Sequence, residues 1–159
     1  MTLDKVLVPL DGSGLAEAAL WKAIELAGDS QPTLVLLRAA EAFTFPGSDP
    51  VDAQVEAVRE AEEYLAHIAT RVRNTGFKRV ETHVWYGPAA GSIVEAARVQ
   101  GADLIVMSTH GRSGLGRLIL GSVAESVLRG TQVPILMVRA EGAPVETLAP
   151  ARPVETTRV

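Results

Sequence analysis

The fold is decided by residues 104–139, which are LIVMSTHGRSGLGRLILGSVAESVLRGTQVPILMVR. Two apolar runs, Asp103–Met107 and Val133–Val138, form the two ends of this stretch and predict buried β-strands. Between them the glycine-rich stretch 111–116 predicts a loop, and a helix is expected from about Arg117 to Arg129. A strand, a crossover helix and a second strand in this order indicate a parallel strand pair.

The same alternation of strand and helix runs through the preceding hundred residues. Apolar runs predict strands at Lys5–Leu10, Thr33–Ala39 and Arg79–Trp85. Helical spacing, with start and stop signals at its ends, predicts three more helices between Ser13 and Gly28, between Val51 and Gly76, and between Pro88 and Gly101. Five strands alternating with four helices predict an α/β fold, a single-domain doubly wound five-stranded parallel sheet with helices on both faces.

Two strands are predicted at the edges of this sheet. Arg79–Trp85 alternates apolar and polar residues, so one of its faces is expected to be partly exposed. Val133–Val138 is strongly apolar, and at an edge its unpaired backbone row would favour association with another chain. In the last helix, Leu120, Ala124, Val127 and Leu128 are expected in the core.

Composition narrows the class of protein. The 159 residues, 47% hydrophobic and 21% charged, match one globular domain, and a net charge of −4 without a basic block argues against a nucleic acid partner. There is no cysteine, no secretion signal at the start and no apolar segment near the length of a membrane span, so we expect a cytoplasmic protein without a membrane partner. Residues 1–140 are expected to form the domain. Residues 141–159 are expected to form a flexible tail, which contains Pro144, Pro150 and Pro153.

Ligands of open parallel sheets bind beyond the carboxyl ends of the strands, which draws attention to Asp11 and to the loop after Met107. A glycine-rich loop that leads into a helix presents free N–H groups and suits a phosphate. This loop is not a P-loop, because Arg117 and Leu118 stand where Lys and Ser or Thr are required. It is not a dinucleotide fingerprint either, because Ile119 stands at the third glycine.

Gly121 falls inside the predicted last helix, where glycine costs about 1 kcal/mol relative to alanine. One explanation is that the missing side chain lets a phosphate oxygen approach the backbone beside the Ser122 hydroxyl. The other is close packing of the helix against the sheet. Spacing alone leaves both explanations open.

Residues 104–139, together with KVLVPLDGS at 5–13, resemble the universal stress protein family over residues 3–139. ATP-binding members of that family show a glycine, two residues, a second glycine, nine residues, and then a glycine followed by Ser or Thr. Here Gly111, Gly121 and Ser122 match this motif, while Ser108 stands at its first glycine. The resemblance implies binding of ATP, or of ADP or AMP, with Mg²⁺ delivered by the nucleotide.

The resemblance also implies a set of binding residues. It puts Asp11 near the adenosine, Pro9, Leu10 and Ala39 in the base pocket, Met107 and Ser108 beside the ribose, and Gly111, Arg112, Gly121, Ser122 and Val123 along the phosphates. Two alternatives without a ligand stay open. Asp11 can be a turn residue that caps the next helix, and Arg112 can be a solvated cation of the loop.

No nucleophile-and-base set, paired carboxylates or metal-ligand spacing is present in the sequence, and His110 has no identified orienting partner. Binding is therefore favoured over catalysis, with at most slow ATP hydrolysis. The family resemblance further implies a homodimer formed through the last strand and a role in stress response or signalling. The alternative is a nucleotide-free interaction module of the same fold.

Overall fold

The computed structural model describes residues 3–110, 120–139, 141, 145 and 147–151. Within these residues lie the five strands and four α-helices that the sequence predicts, plus one short 3₁₀ turn, Gly28–Ser30. In chain order the elements are β1 (Lys5–Pro9), α1 (Gly14–Ala27), β2 (Thr33–Ala40), α2 (Pro50–Asn74), β3 (Val80–Tyr86), α3 (Ala89–Gln100), β4 (Leu104–Ser108), α4 (Ser122–Gly130) and β5 (Ile135–Val138).

The strands form one parallel sheet in the order β3-β2-β1-β4-β5. The chain moves outward from β1 through β2 to β3, and α3 then carries it back across the sheet to β4 on the other side of β1. The strand order therefore reverses between β1 and β4. The doubly wound prediction is confirmed, and β3 and β5 lie at the edges as expected.

Two hydrophobic layers cover the sheet, because successive side chains of a strand point to opposite faces. On β1, Val6 and Val8 pack with α1 and α2, whereas Leu7 packs with α3 and α4. Leu36 and Leu37 of β2 divide in the same way. Burial on both faces explains why these strands are continuous apolar runs in the sequence.

The last helix begins later than predicted. It starts at Ser122 with Gly121 as its N-cap, so Gly121 does not lie one turn inside a helix; residues 117–119 are outside the described part of the chain. The Gly121 N–H donates to the Thr109 carbonyl oxygen at 2.8 Å, a partner in the preceding loop, and this contact marks the boundary. Ala124 and Val127 are buried as expected, but Leu128 is 54% exposed, because it faces away from the sheet.

The first two turns of α2 also extend beyond the core. Val51 and Val55 are 66% and 62% exposed, while Leu65, Ile68 and Val72 further along the helix are buried.

In the described part of the chain no helix combines the length and the apolar character needed to cross a membrane. The few described residues of the segment 141–159 contain neither helix nor strand, and the flexible tail stays a prediction.

The two leucines of α1 allow a test of this layering. Leu20 is fully buried and Leu26 is 62% exposed on the same helix. We expect Leu20→Ala to lower the free energy of unfolding by about 2–5 kcal/mol, because it leaves a cavity, and Leu26→Ala to change it by less than about 0.5 kcal/mol. Urea unfolding at one fixed protein concentration measures both, and equal losses would contradict the described packing.

Candidate functional site

A cavity of about 390 Å³ opens at the carboxyl ends of β1, β2 and β4, where the strand order reverses. α3 and α4 supply its walls. Nine residues of the predicted binding set line this cavity: Pro9, Leu10, Asp11, Ala39, Met107, Ser108, Gly121, Ser122 and Val123. The remaining two, Gly111 and Arg112, lie outside the described residues.

The turn between β1 and α1 forms the middle of the cavity floor. The Asp11 carboxylate oxygen Oδ1 accepts the Ser13 N–H at 2.9 Å, and the Ser13 hydroxyl accepts the Ala16 N–H at 3.2 Å as the N-cap of α1. Gly12 between them has a φ of 84°, a conformation that favours glycine. The turn role of Asp11 is therefore present in the structure, and Asp11 also lines the cavity.

A charged network on the opposite face of the sheet lies below this turn. An added Cβ at Gly12 would come within 3.1 Å of Arg38 Nη1, and the Arg38 guanidinium lies 4.6 Å from the centre of the Tyr64 ring. The Tyr64 hydroxyl donates to Glu17 Oε1 at 3.3 Å, and Arg71 pairs with Glu17 Oε2 at 2.7 Å. Burial, aided by the Glu17 carboxylate, raises the pKa of Tyr64 to about 12. The network ties α1, α2 and β2 together beneath the turn.

The end of β4 borders the other side of the floor. The Ser108 hydroxyl donates to the His110 carbonyl oxygen at 2.7 Å. The side chain that replaces the motif's first glycine is therefore hydrogen-bonded within the loop. Thr109 Oγ1 lies 3.1 Å from His110 Nδ1, so the histidine has the orienting neighbour that the sequence did not reveal. His110 Nε2 is buried and has no hydrogen-bond partner among the described residues.

The start of α4 closes one end of the cavity. An added Cβ at Gly121 would lie 3.0 Å from the Thr109 carbonyl oxygen and 3.4 Å from His110 Cα. Gly121 is therefore closely packed, but against the backbone of the loop after β4 and not against the sheet as the second explanation had it. The first explanation, a phosphate that approaches the backbone beside Ser122, stays a prediction. The Glu125 N–H bonds to the Gly121 carbonyl oxygen at 2.9 Å, and the preceding N–H groups at the helix start have no carbonyl one turn earlier in α4 to accept them.

The opposite end of the cavity is apolar and was largely missed by the sequence analysis. Leu37 and Ala39 of β2, Ala89 and Ile93 of α3, and the loop residue Phe43 line it. The place of Ile93 beside the cavity depends on how α3 crosses the sheet. No local motif marks these residues.

The charge of the described lining is acidic. It contains the carboxylates of Asp11 and Glu41, and none of its described residues is a lysine or arginine. Nor do the described residues contain a group of three or more His, Asp or Glu side chains placed to hold a metal ion. The apolar end against β2 and the start of α4 at the other end suit a ligand that has an apolar part and a part that accepts hydrogen bonds.

Comparisons with known proteins agree with this fold. The model of the Universal stress protein family matches residues 2–139. A universal stress protein of Methanocaldococcus jannaschii is 33% identical over 140 residues, which cover 85% of this chain and 81% of the relative. The structure of the universal stress protein UspA from Lactobacillus plantarum has a TM-score of 0.76 and 25% identity, covering 87% of this chain and 99% of its own. A universal stress protein solved in complex with cAMP has a TM-score of 0.67 and 25% identity, covering 87% and 98%.

Two glycines that differ in their surroundings test the packing of Gly121. We expect Gly121→Ala to lower the free energy of unfolding, because a Cβ at 3.0 Å from a backbone oxygen forces the loop or the helix to shift. Gly91→Ala, within α3, meets no atom within 4 Å and is expected to raise it by about 0.5–1 kcal/mol. Thermal and urea unfolding measure the stability of both variants against wild type. A stabilised Gly121→Ala variant would refute the close contact.

Proposed function

Because the chain belongs to the universal stress protein family, we propose that it binds an adenine nucleotide, with ATP as the leading ligand, and that occupancy of the site serves as a stress or energy signal. The observation that carries the proposal is the polarity of the cavity. Its apolar end lies against β2, and the start of α4 lies at its other end, across β1 and β4. A nucleotide has this same division into a flat apolar base and an anionic tail.

The phosphate end would use backbone donors. The first N–H groups of α4, near Ser122 and Val123, point out of the helix, where the helix dipole also favours a negative charge. The Ser122 side chain, which lines the cavity, adds a hydroxyl donor. Gly111 and Arg112 match the family's phosphate-facing positions, and Arg112 would supply a cation that the described lining lacks.

The base end has support from both the cavity and the relatives. Ala39 and Ala89 carry small side chains, which leave space for a ring between β2 and α3. A relative that is 25% identical has been solved with cAMP, an adenine nucleotide. Mg²⁺ would arrive with the phosphates, because the described residues provide no separate metal cluster. We assign at most slow ATP hydrolysis to the site.

We further propose a cytoplasmic homodimer that pairs through β5. All four residues of this apolar edge strand are only partly buried within one chain, and an unpaired edge of this kind favours association with a second copy. Light scattering on the purified protein is expected to give twice the monomer mass.

The nucleotide proposal is tested on the purified protein. Denaturation followed by mass spectrometry should release an adenine nucleotide, or Mg-ATP, ADP or AMP added to the nucleotide-free protein should raise its melting temperature. Binding at 100 times Kd stabilises a protein by about 2.7 kcal/mol, enough for a clear shift. Neither release nor a shift with any of the three would overturn the proposal.

Two serines of α4 provide a matched pair of variants. Ser122→Asp places a carboxylate at the first residue of the helix, where it favours the helix itself but repels a phosphate. Ser126→Asp adds the same charge at an exposed position of α4 away from the cavity lining. We expect the ATP-dependent melting shift to be lost in the first variant and kept in the second. A full shift in Ser122→Asp would contradict a phosphate site at the start of α4.

One observation favours the second candidate, a nucleotide-free interaction module of the same fold. The Ser108 hydroxyl replaces the motif's first glycine and is held by the His110 carbonyl oxygen at the edge of the cavity. If this reading applies, the binding tests above fail while the light-scattering mass still corresponds to a dimer.

A further inference from the structure

Phe43 stands out among the large apolar residues of the chain. It is 78% exposed, yet it is also part of the lining of the cavity. An exposed aromatic ring at the mouth of a cavity gains by covering an apolar ligand surface, because both then leave water. The neighbouring Phe45 is similarly exposed, at 74%, but does not line the cavity.

Hydrogen bonds lie on both sides of Phe43 in its loop, and those on the β2 side attach the loop to the sheet. At one end the Ala40 carbonyl oxygen accepts the Gly87 N–H at 2.9 Å, which ties the last residue of β2 to the chain just after β3. At the other end a compact turn holds Phe45 and Ser48 together: the Phe45 N–H donates to Ser48 Oγ at 3.0 Å, and Ser48 Oγ donates to the Phe45 carbonyl oxygen at 2.8 Å.

Between the Ala40 bond and the Phe45–Ser48 turn, the backbone of residues 42–44 makes no hydrogen bond within the described part of the chain. Phe43 follows Ala40, the fixed end of β2, by three residues, which is a reach of about 10 Å, so its side chain stays near the rim. The Phe43 ring therefore has freedom to tilt and remains next to the β2 end of the cavity.

The surroundings at this end suit a flat ring. Ala39 and Ala89 leave space, Ile93 and Leu37 provide an apolar wall, and the start of α4 lies at the far end. Two strand spacings of about 4.8 Å separate β2 from β4, so a ligand with its phosphates at α4 has its base near Phe43.

We propose that Phe43 folds over the base of the bound nucleotide and stacks on it, making this residue a determinant of affinity and of preference for purine bases. The inference rests on the proposed nucleotide function. It adds to that function a recognition element outside the glycine motif, on a loop between β2 and α2. Purines present a larger ring face than pyrimidines, so the ring favours ATP over CTP.

The test compares wild type with Phe43→Ala, Phe43→Leu and Phe45→Ala by isothermal titration with Mg-ATP, Mg-CTP and inorganic triphosphate. We expect Phe43→Ala to weaken ATP binding by about tenfold, in line with the loss of one stacked base, and to weaken CTP binding less. Phe45→Ala should match wild type. Triphosphate, which has no base, should respond identically in wild type and Phe43→Ala, whether or not its binding is measurable.

Each alternative result has a separate meaning. Wild type that binds no nucleotide overturns the proposed function, and this inference with it. Wild type that binds ATP while Phe43→Ala binds it equally well overturns the inference alone, as does an equal loss in Phe45→Ala. Wild-type affinity in Phe43→Leu overturns the need for a flat ring. Unfolding of the free variants should be unchanged, because both phenylalanines are exposed.

Discussion

β1 is hydrogen-bonded to β2 on one side and to β4 on the other, with all three strands parallel. A parallel neighbour can only be reached by a crossover, and the chain uses helices on both faces to place neighbours on both sides of β1. α1 leads outward from β1 on one face, and α3 brings the chain back on the other. The ends of β1 and β4 consequently lead into loops that diverge toward opposite faces, and the cavity occupies the gap between them. Every candidate binding residue depends on this reversal for its position.

The two ends of the cavity owe their different character to different elements. At one end, Thr109 is held twice, since its N–H donates to the Val138 carbonyl oxygen at 3.0 Å and its own carbonyl accepts the Gly121 N–H at 2.8 Å. These bonds fix the start of α4 against the end of β4, so the first turn of the helix borders the cavity. At the other end, the residues of β2 and α3 that line the cavity are small or apolar. The cavity is therefore polarised by backbone geometry as well as by side chains.

Successive side chains of β2 point to opposite faces of the sheet at the edge of the site. Arg38 turns toward α2 and lies over Tyr64 beneath the β1–α1 turn, while the next residue, Ala39, lines the cavity. One step along the strand thus separates a cation that supports the turn from a methyl group that leaves space for a ligand. Glu17 and Arg71 extend the support to α1 and α2, so the turn bearing Asp11 rests on three elements that do not themselves line the phosphate end.

By itself, the sequence determined the five strands, the four helices, the parallel arrangement and the two edge strands, because burial on both faces and helical spacing leave direct patterns of apolar residues. The shared edge of parallel strand ends indicated Asp11 and the loop after Met107, and the family resemblance implied the other residues of the nine that meet at the cavity. Only the tertiary structure revealed the close packing at Gly121, since the Thr109 carbonyl that it approaches lies twelve positions earlier. It alone brought Ile93 and Phe43 to the apolar end, because the crossing of α3 and the path of the β2–α2 loop are set by packing and long-range hydrogen bonds, which leave no local pattern in the order of residues.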